Sequence, residues 1–149
     1  MMKKYIIFIS LIFFLTHCGF SPIYIKNTNT NFSIENVDYQ GDRDLNNFLK
    51  INLDQYKNKK SDRKILIEAI SEYEKTILTK NTASEVTNYK LIANVTFLIK
   101  STNKKINITE EKIISSMDDK FEEARKERAT KQNFARSISN KLISELVIN

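Results

Sequence analysis

Two side chains near the start of the chain supply an imidazole and a thiol found nowhere else in its 149 residues: His17 and Cys18, the only histidine and the only cysteine. A single cysteine cannot close an internal disulfide, so its thiol is left over, paired with another chain, or modified. A lone histidine beside it lacks the third group that orients a catalytic base. Past Gly19 the only glycine is Gly41, so neither a Gly-rich phosphate loop nor a G-x-S-x-G elbow can be built in its usual form. No set of residues has the spacing of a zinc site. The adjacent carboxylates Glu110/Glu111 and Glu122/Glu123 point to solvated charge rather than a converging acid–base pair. We therefore expect no enzymatic activity, no catalytic residues, no metal and no cofactor other than a group carried on Cys18.

The residues ahead of Cys18 say what that group is. Lys3 and Lys4 precede an apolar run from Tyr5 to Leu15, the layout of an export signal. A helix needs about 20 apolar residues to cross a bilayer, so a run this short reads as a signal core rather than a permanent span. Leu15-Thr16-His17-Cys18 resembles a lipobox, in which the chain is cut before the cysteine and the thiol takes a diacylglycerol. Residues 1–17 are then a signal peptide, residues 18–31 a lipidated start and polar tether, and residues 32–149 one domain.

Cleavage removes Lys3 and Lys4 and no acid, leaving 22 basic against 18 acidic side chains and lowering the net charge from +6 to +4. This excess favours anionic partners in general and says nothing about the fold. No nucleic-acid partner is expected. Lys80 in one interstrand link, with Lys104 and Lys105 in the next, would form a patch if both links lay at the same end of the sheet. Ammonium groups there suit the phosphates of a lipid, whereas in a Lys-rich chain they also suit plain solvation. Arg125, Lys126, Arg128 and Lys131, interleaved with Glu122, Glu123 and Glu127, read as helix-supporting pairs.

The elements that would position these residues follow from periodicity. Residues 32–39 alternate with one phase slip, a short strand. Gly41 interrupts it, Asp42 or Asp44 caps a helix, and Leu45, Phe48, Leu49, Leu53 and Tyr56 lie on one helical stripe. Residues 63–79 place Ile65, Ile67, Ala69, Tyr73 and Ile77 on one side of a long strand. Residues 86–100 alternate most clearly, from Tyr89 to Ile99 on one face and Asn88 to Lys100 on the other, and residues 106–117 form a fourth strand. After Asp118 and Asp119, a closing helix carries Phe134, Ile138, Leu142 and Leu146, supported by Ala124 and Ala135. The last three strands, joined by short links, make a meander. Each helix must bury its stripe on the sheet. The expected fold is α+β: a two-layer sandwich of two helices on a four-stranded, mainly antiparallel sheet, in the order β-α-β-β-β-α, with the second sheet face open or covered by a partner.

The segment Cys18-Gly19-Phe20-Ser21-Pro22-Ile23-Tyr24, the element order and the long closing helix with its Arg/Ala-rich start together resemble the lipopolysaccharide-assembly outer-membrane lipoproteins. Ile23 stands where that family usually has Leu. The resemblance implies a protein anchored at the periplasmic face of the outer membrane by lipid on Cys18. It also implies an outer-membrane β-barrel translocon as partner, which the domain plugs and helps assemble, and contact with lipopolysaccharide on its way to the cell surface. Lys80, Lys104 and Lys105 are the candidate contacts for its phosphates. An auxiliary periplasmic lipoprotein of a lipid or solute transport system would share the anchor and the small domain. The anchor is directly testable: Cys18→Ala is expected to leave the chain unlipidated, and mass spectrometry of the mature N-terminus of the parent chain finding an unmodified thiol would remove the anchor from consideration.

Overall fold

The computed structural model describes residues 31–148; the signal, Cys18 and the tether up to residue 30 lie outside the described residues. The elements run β1 (Ser33–Gly41), α1 (Arg43–Leu53), a 3-10 turn (Asp54–Tyr56), β2 (Lys64–Lys80), β3 (Val86–Ile99), β4 (Lys104–Ser115) and α2 (Lys120–Ile148). The fold is α+β, with two helices on one face of a four-stranded sheet of spatial order β1-β2-β3-β4. β1 runs parallel to β2, which obliges the chain to cross over through α1 between them. β2, β3 and β4 form the antiparallel meander.

The phase slip in β1 is a shift of register between Ile34 and Asn36 against β2. It turns Phe32, Ile34 and Val37 inward despite their odd spacing. At the far end of β1 the backbone passes so close to Ser71 that a Cβ on Gly41 would strike the Ser71 carbonyl, and its φ of +97° is a conformation L side chains rarely adopt. Ser71, buried in the middle of β2, closes the same junction by donating its hydroxyl to the Gln40 carbonyl at 3.2 Å. The chain turns there directly into α1, which Asp42 caps by accepting from the Leu45 N–H at 2.7 Å. Tyr56, expected on the helical stripe, falls instead in the 3-10 turn and stacks on Phe32, centroid to centroid 6.4 Å.

Leu45, Leu49 and Leu53 of α1 and Phe134, Ala135, Ile138, Leu142, Ile143 and Leu146 of α2 are buried with the inward residues of β2, β3 and β4. Each fully buried aliphatic or aromatic side chain contributes about 1.5–3 kcal/mol through loss of apolar surface to water. Three expectations need correction. Ile77 has the inward parity of β2 but is 54 % exposed, because the helices no longer cover the sheet where it lies. Ala124 is exposed, and Glu123 takes its place on the buried stripe of α2. Lys104 and Lys105 belong to the start of β4 rather than to the link before it.

Candidate functional site

The helices leave one sheet face open. Across it run Leu66, Ile70 and Glu72 of β2, Lys90, Ile92, Asn94, Thr96 and Leu98 of β3, and Lys105, Asn107, Thr109 and Ile113 of β4, in register. None is buried; Leu66 and Ile70 are 41 % and 42 % exposed, and Ile113 is 58 % exposed. Aliphatic, amide and hydroxyl side chains are mixed there with the carboxylates of Glu68, Glu72, Glu74 and Glu111. Among the described residues two of its cations are engaged, Lys90 with Glu111 at 2.7 Å and Lys100 with Asp38 at 3.0 Å, whereas Lys105 is not.

The β2–β3 hairpin projects beyond the helices and is internally braced. Asn81 Oδ1 accepts from the Ala83 and Glu85 N–H groups at 3.0 and 2.9 Å, and its amide donates to Glu85 at 2.8 Å. Asn88 donates to the Thr79 hydroxyl at 2.8 Å, and Thr79 and Thr87 share a hydrogen bond. The hairpin carries exposed Ile77 and Leu78 and, at its tip, exposed Lys80.

The structure does not bring Lys80 to Lys104 and Lys105. Lys80 pairs across from Val86 at the start of β3, whereas Lys104 pairs with Ile99 at its end. In a meander, successive links fall at opposite ends of the shared strand, so the 14 residues of β3 hold the two sites roughly 40 Å apart. Lys104 is paired with Glu145 of α2 at 3.2 Å, and Lys105 is exposed on the open face.

Another constellation was not anticipated. Over its first three turns α2 presents Glu123, Glu127 and Lys131 to the sheet instead of apolar side chains. Lys75 of β2 reaches both Glu123 and Glu127 at 2.9 Å. Glu123 also accepts from the Met117 N–H at 3.1 Å, the Ser116 hydroxyl at 3.3 Å and Lys120 at 3.2 Å. Tyr73 donates to Glu127 at 3.0 Å, while Lys131 lies over the Tyr73 ring at 3.9 Å and reaches the α1 cap Asp42 at 3.4 Å. The run of charges therefore ties α2 to β2 and α1; within the helix, only Lys120–Glu123 and Glu122–Arg125 pair, at i, i+3. A signal was present, because Glu123, Glu127 and Lys131 extend the Ala135 row at four-residue spacing.

The same contacts set the titration. Lys75 and the Met117 N–H, with Lys120, hold the Glu123 carboxyl well down, at about 2, against the opposing effect of its burial. Burial alone would lower Lys75, but Glu127 and Glu123 more than offset it and hold its pKa above the usual value. Burial, with the neighbouring Glu127, raises the Tyr73 phenol. These shifts are those of a structural clasp.

Along the outer edge, β4 and α2 enclose an open groove of about 560 Å³ lined by Ile106, Ile108, Ser137, Asn140 and Lys141. Glu110 above it accepts from the Ser137 hydroxyl at 2.7 Å and pairs with Lys141 at 2.6 Å, so its carboxyl stays below the usual range although burial opposes this. Among the described residues no helix is long and apolar enough to cross a membrane, and no group of three or more candidate ligands could hold a metal ion.

No family model and no curated protein matches the sequence. Solved structures do share the fold. The rare lipoprotein B from Shewanella oneidensis superposes with a TM-score of 0.57 at 12 % identity, over 74 % of this chain and 92 % of that one. An uncharacterized lipoprotein B from Nitrosomonas europaea gives 0.56 at 13 % identity, over 80 % and 86 % of the two chains. A minor lipoprotein from Acinetobacter baumannii gives 0.51 at 14 %, over 79 % and 96 %. At these identities the likeness establishes a common fold.

The clasp has a measurable pH signature. A carboxyl whose pKa falls from 4.5 to about 2 on folding adds stability that is complete above the unfolded value and is lost as the pH drops towards 2. Glu123→Gln is expected to cost about 2–3 kcal/mol at pH 7 and much less near pH 2, as read by denaturant unfolding; a cost independent of pH would contradict the clasp.

Proposed function

We propose that this chain is a non-enzymatic outer-membrane lipoprotein that plugs an outer-membrane β-barrel translocon, assists its assembly and helps deliver lipopolysaccharide to the cell surface. The observation that carries this reading is the open sheet face, a mixed aliphatic and polar surface continuous with a braced hairpin, on a fold shared with solved lipoproteins. A barrel lumen is polar, and a plug must exchange water on both surfaces for matching hydrogen bonds while gaining some apolar contact. Rows such as Ile70, Thr96 and Asn107, or Glu72, Asn94 and Thr109, offer that mixture. Lipid on Cys18 would hold the domain at the periplasmic face of the outer membrane, with the lipid as its only non-protein group.

Lys80, Lys104 and Lys105 are proposed contacts for lipopolysaccharide phosphates. Given their separation, they would act as two points, one at the hairpin tip and one at the other end of β3, rather than as a single patch. Reversing all three to Glu is expected to weaken binding of lipid A by roughly tenfold or more in a direct binding assay. Unchanged affinity would return these residues to simple solvation.

The plug reading is tested by affinity purification of the tagged chain from detergent-solubilised outer membranes. A large barrel is expected to co-purify with the parent chain. With Leu66→Lys and Ile70→Lys together, its recovery should fall roughly tenfold while the melting temperature stays close to that of the parent. Absence of a barrel from the parent preparation would overturn the plug and favour an auxiliary lipoprotein of a lipid or solute transport system.

A further inference from the structure

The chain enters the domain at one end of the sandwich, and that end is cationic. Asn31 accepts from the Ser61 hydroxyl at 2.8 Å, and Ser33 donates its N–H to the Arg63 carbonyl at 2.9 Å, so the segment before β2 lies beside the entry point. Arg63 donates to the Leu146 carbonyl at 3.2 Å, which brings in the C-terminus of α2. Lys104 to Glu145 at 3.2 Å adds the start of β4. Residues 57–64 and 100–105, the segments that lead into β2 and β4 at this end, contain eight Lys or Arg side chains against one acid, Asp62. Nearby Asp54, Asp38 and Glu145 pair with three of the eight, and Glu35 and Glu68 stand close by, leaving a surplus of about two charges. Setting aside Lys3, Lys4 and Lys26, residues 31–148 carry 21 basic and 18 acidic groups, so this one end accounts for most of the surplus of the domain. The opposite end is acidic by contrast, with Asp118, Asp119, Glu122 and Glu85 against Lys80 and Lys120.

Lys60, Lys64 and Lys105 are exposed and have no side-chain partner among the described residues. Val147 and Ile148 end α2 on the same side, 50 % and 81 % exposed. Cations around a small exposed apolar tip, at the point where the chain leads back towards an acyl group, suit one partner. We propose that this end rests on an anionic phospholipid surface, its ammonium groups on headgroup phosphates and Val147 and Ile148 at the level of the glycerols. The domain then stands with the β2–β3 hairpin directed away from the leaflet.

The twelve residues between Cys18 and Asn31 can reach no farther than about 45 Å, so an anchored domain never leaves the neighbourhood of the surface. Within a Debye length of an anionic leaflet each cation raises the docked population about fivefold. The proposal rests on the anchor at Cys18 and not on the barrel.

The lipidated full chain on vesicles tests it, because a lipidated Cys18 leaves any introduced cysteine as the only free thiol. Nitroxide labels at Ser101→Cys, on the cationic end, and Ala83→Cys, at the hairpin tip, are compared for accessibility to an aqueous relaxing agent. With about one third phosphatidylglycerol in phosphatidylcholine, the label at 101 is expected to be shielded and that at 83 to remain accessible. Shielding at 101 should disappear on pure phosphatidylcholine or at ~1 M salt. Lys60→Gln, Lys64→Gln and Lys105→Gln together should reduce the docked-to-free ratio about a hundredfold, with the far-UV spectrum unchanged. Equal accessibility at 101 on both kinds of vesicle overturns the proposal, as does shielding at 83 in its place. Shielding that appears only when lipopolysaccharide is added also overturns it, assigning the end to lipid A phosphates. Mass spectrometry of the N-terminus in the same samples separates a missing anchor from a failed docking.

Discussion

A single sheet face is covered over most of its length by two helices of unequal length and unequal composition. α1 spans 11 residues and covers only the part of the sheet beside β1, whereas the 29 residues of α2 extend about 43 Å along it. The apolar stripe of α2, however, begins at Phe134. Ahead of it the same helical row carries Glu123, Glu127 and Lys131, and burying these without partners would be prohibitive. Lys75, Tyr73 and Asp42 meet this constraint by placing an opposite charge or a hydroxyl against each. Asp42 has a double role. One carboxylate caps α1 and anchors Lys131 of α2, so the start of the first helix and the middle of the second are held by the same group.

Where that cover ends, the sheet continues. β2 and β3 run past the clasp as a two-stranded hairpin, which in isolation is at best marginally stable in water. It is stiffened instead by side chains at its tip, Asn81 against the turn and Thr79 against Thr87 and Asn88. A projecting hairpin with exposed Ile77 and Leu78, together with an open face bearing Leu66, Ile70 and Ile113, is apolar area that the domain itself does not bury. This uncovered area and the charge difference between the two ends make the molecule polar in two senses, one open face and one cationic end beside the start of β1.

Much of the architecture was legible because its signals are local. The alternation of β3 from Tyr89 to Ile99 allows one inward face, and Asp42 followed by Leu45 and Leu49 specifies a cap and a buried stripe. Even the register shift in β1 showed as a break in parity at Val37. Less legible was the depth of each element. Parity places Ile77 inward, but its exposure depends on where α2 starts, which no window around Ile77 contains. Likewise Glu123 and Lys131 look solvated until Lys75 and Asp42, 48 and 89 residues away, are found beside them.

The sequence by itself determined the identity and order of the elements and most of the inward face of each, because hydrophobic period, caps and glycine scarcity act within a few residues. Only the tertiary structure decided that β1 lies parallel at one edge, that α2 is clasped by charge over its first three turns, and that Lys80 stands far from Lys104 and Lys105. Those outcomes depend on which distant segments meet, and on the meander sending consecutive links to opposite ends of a strand.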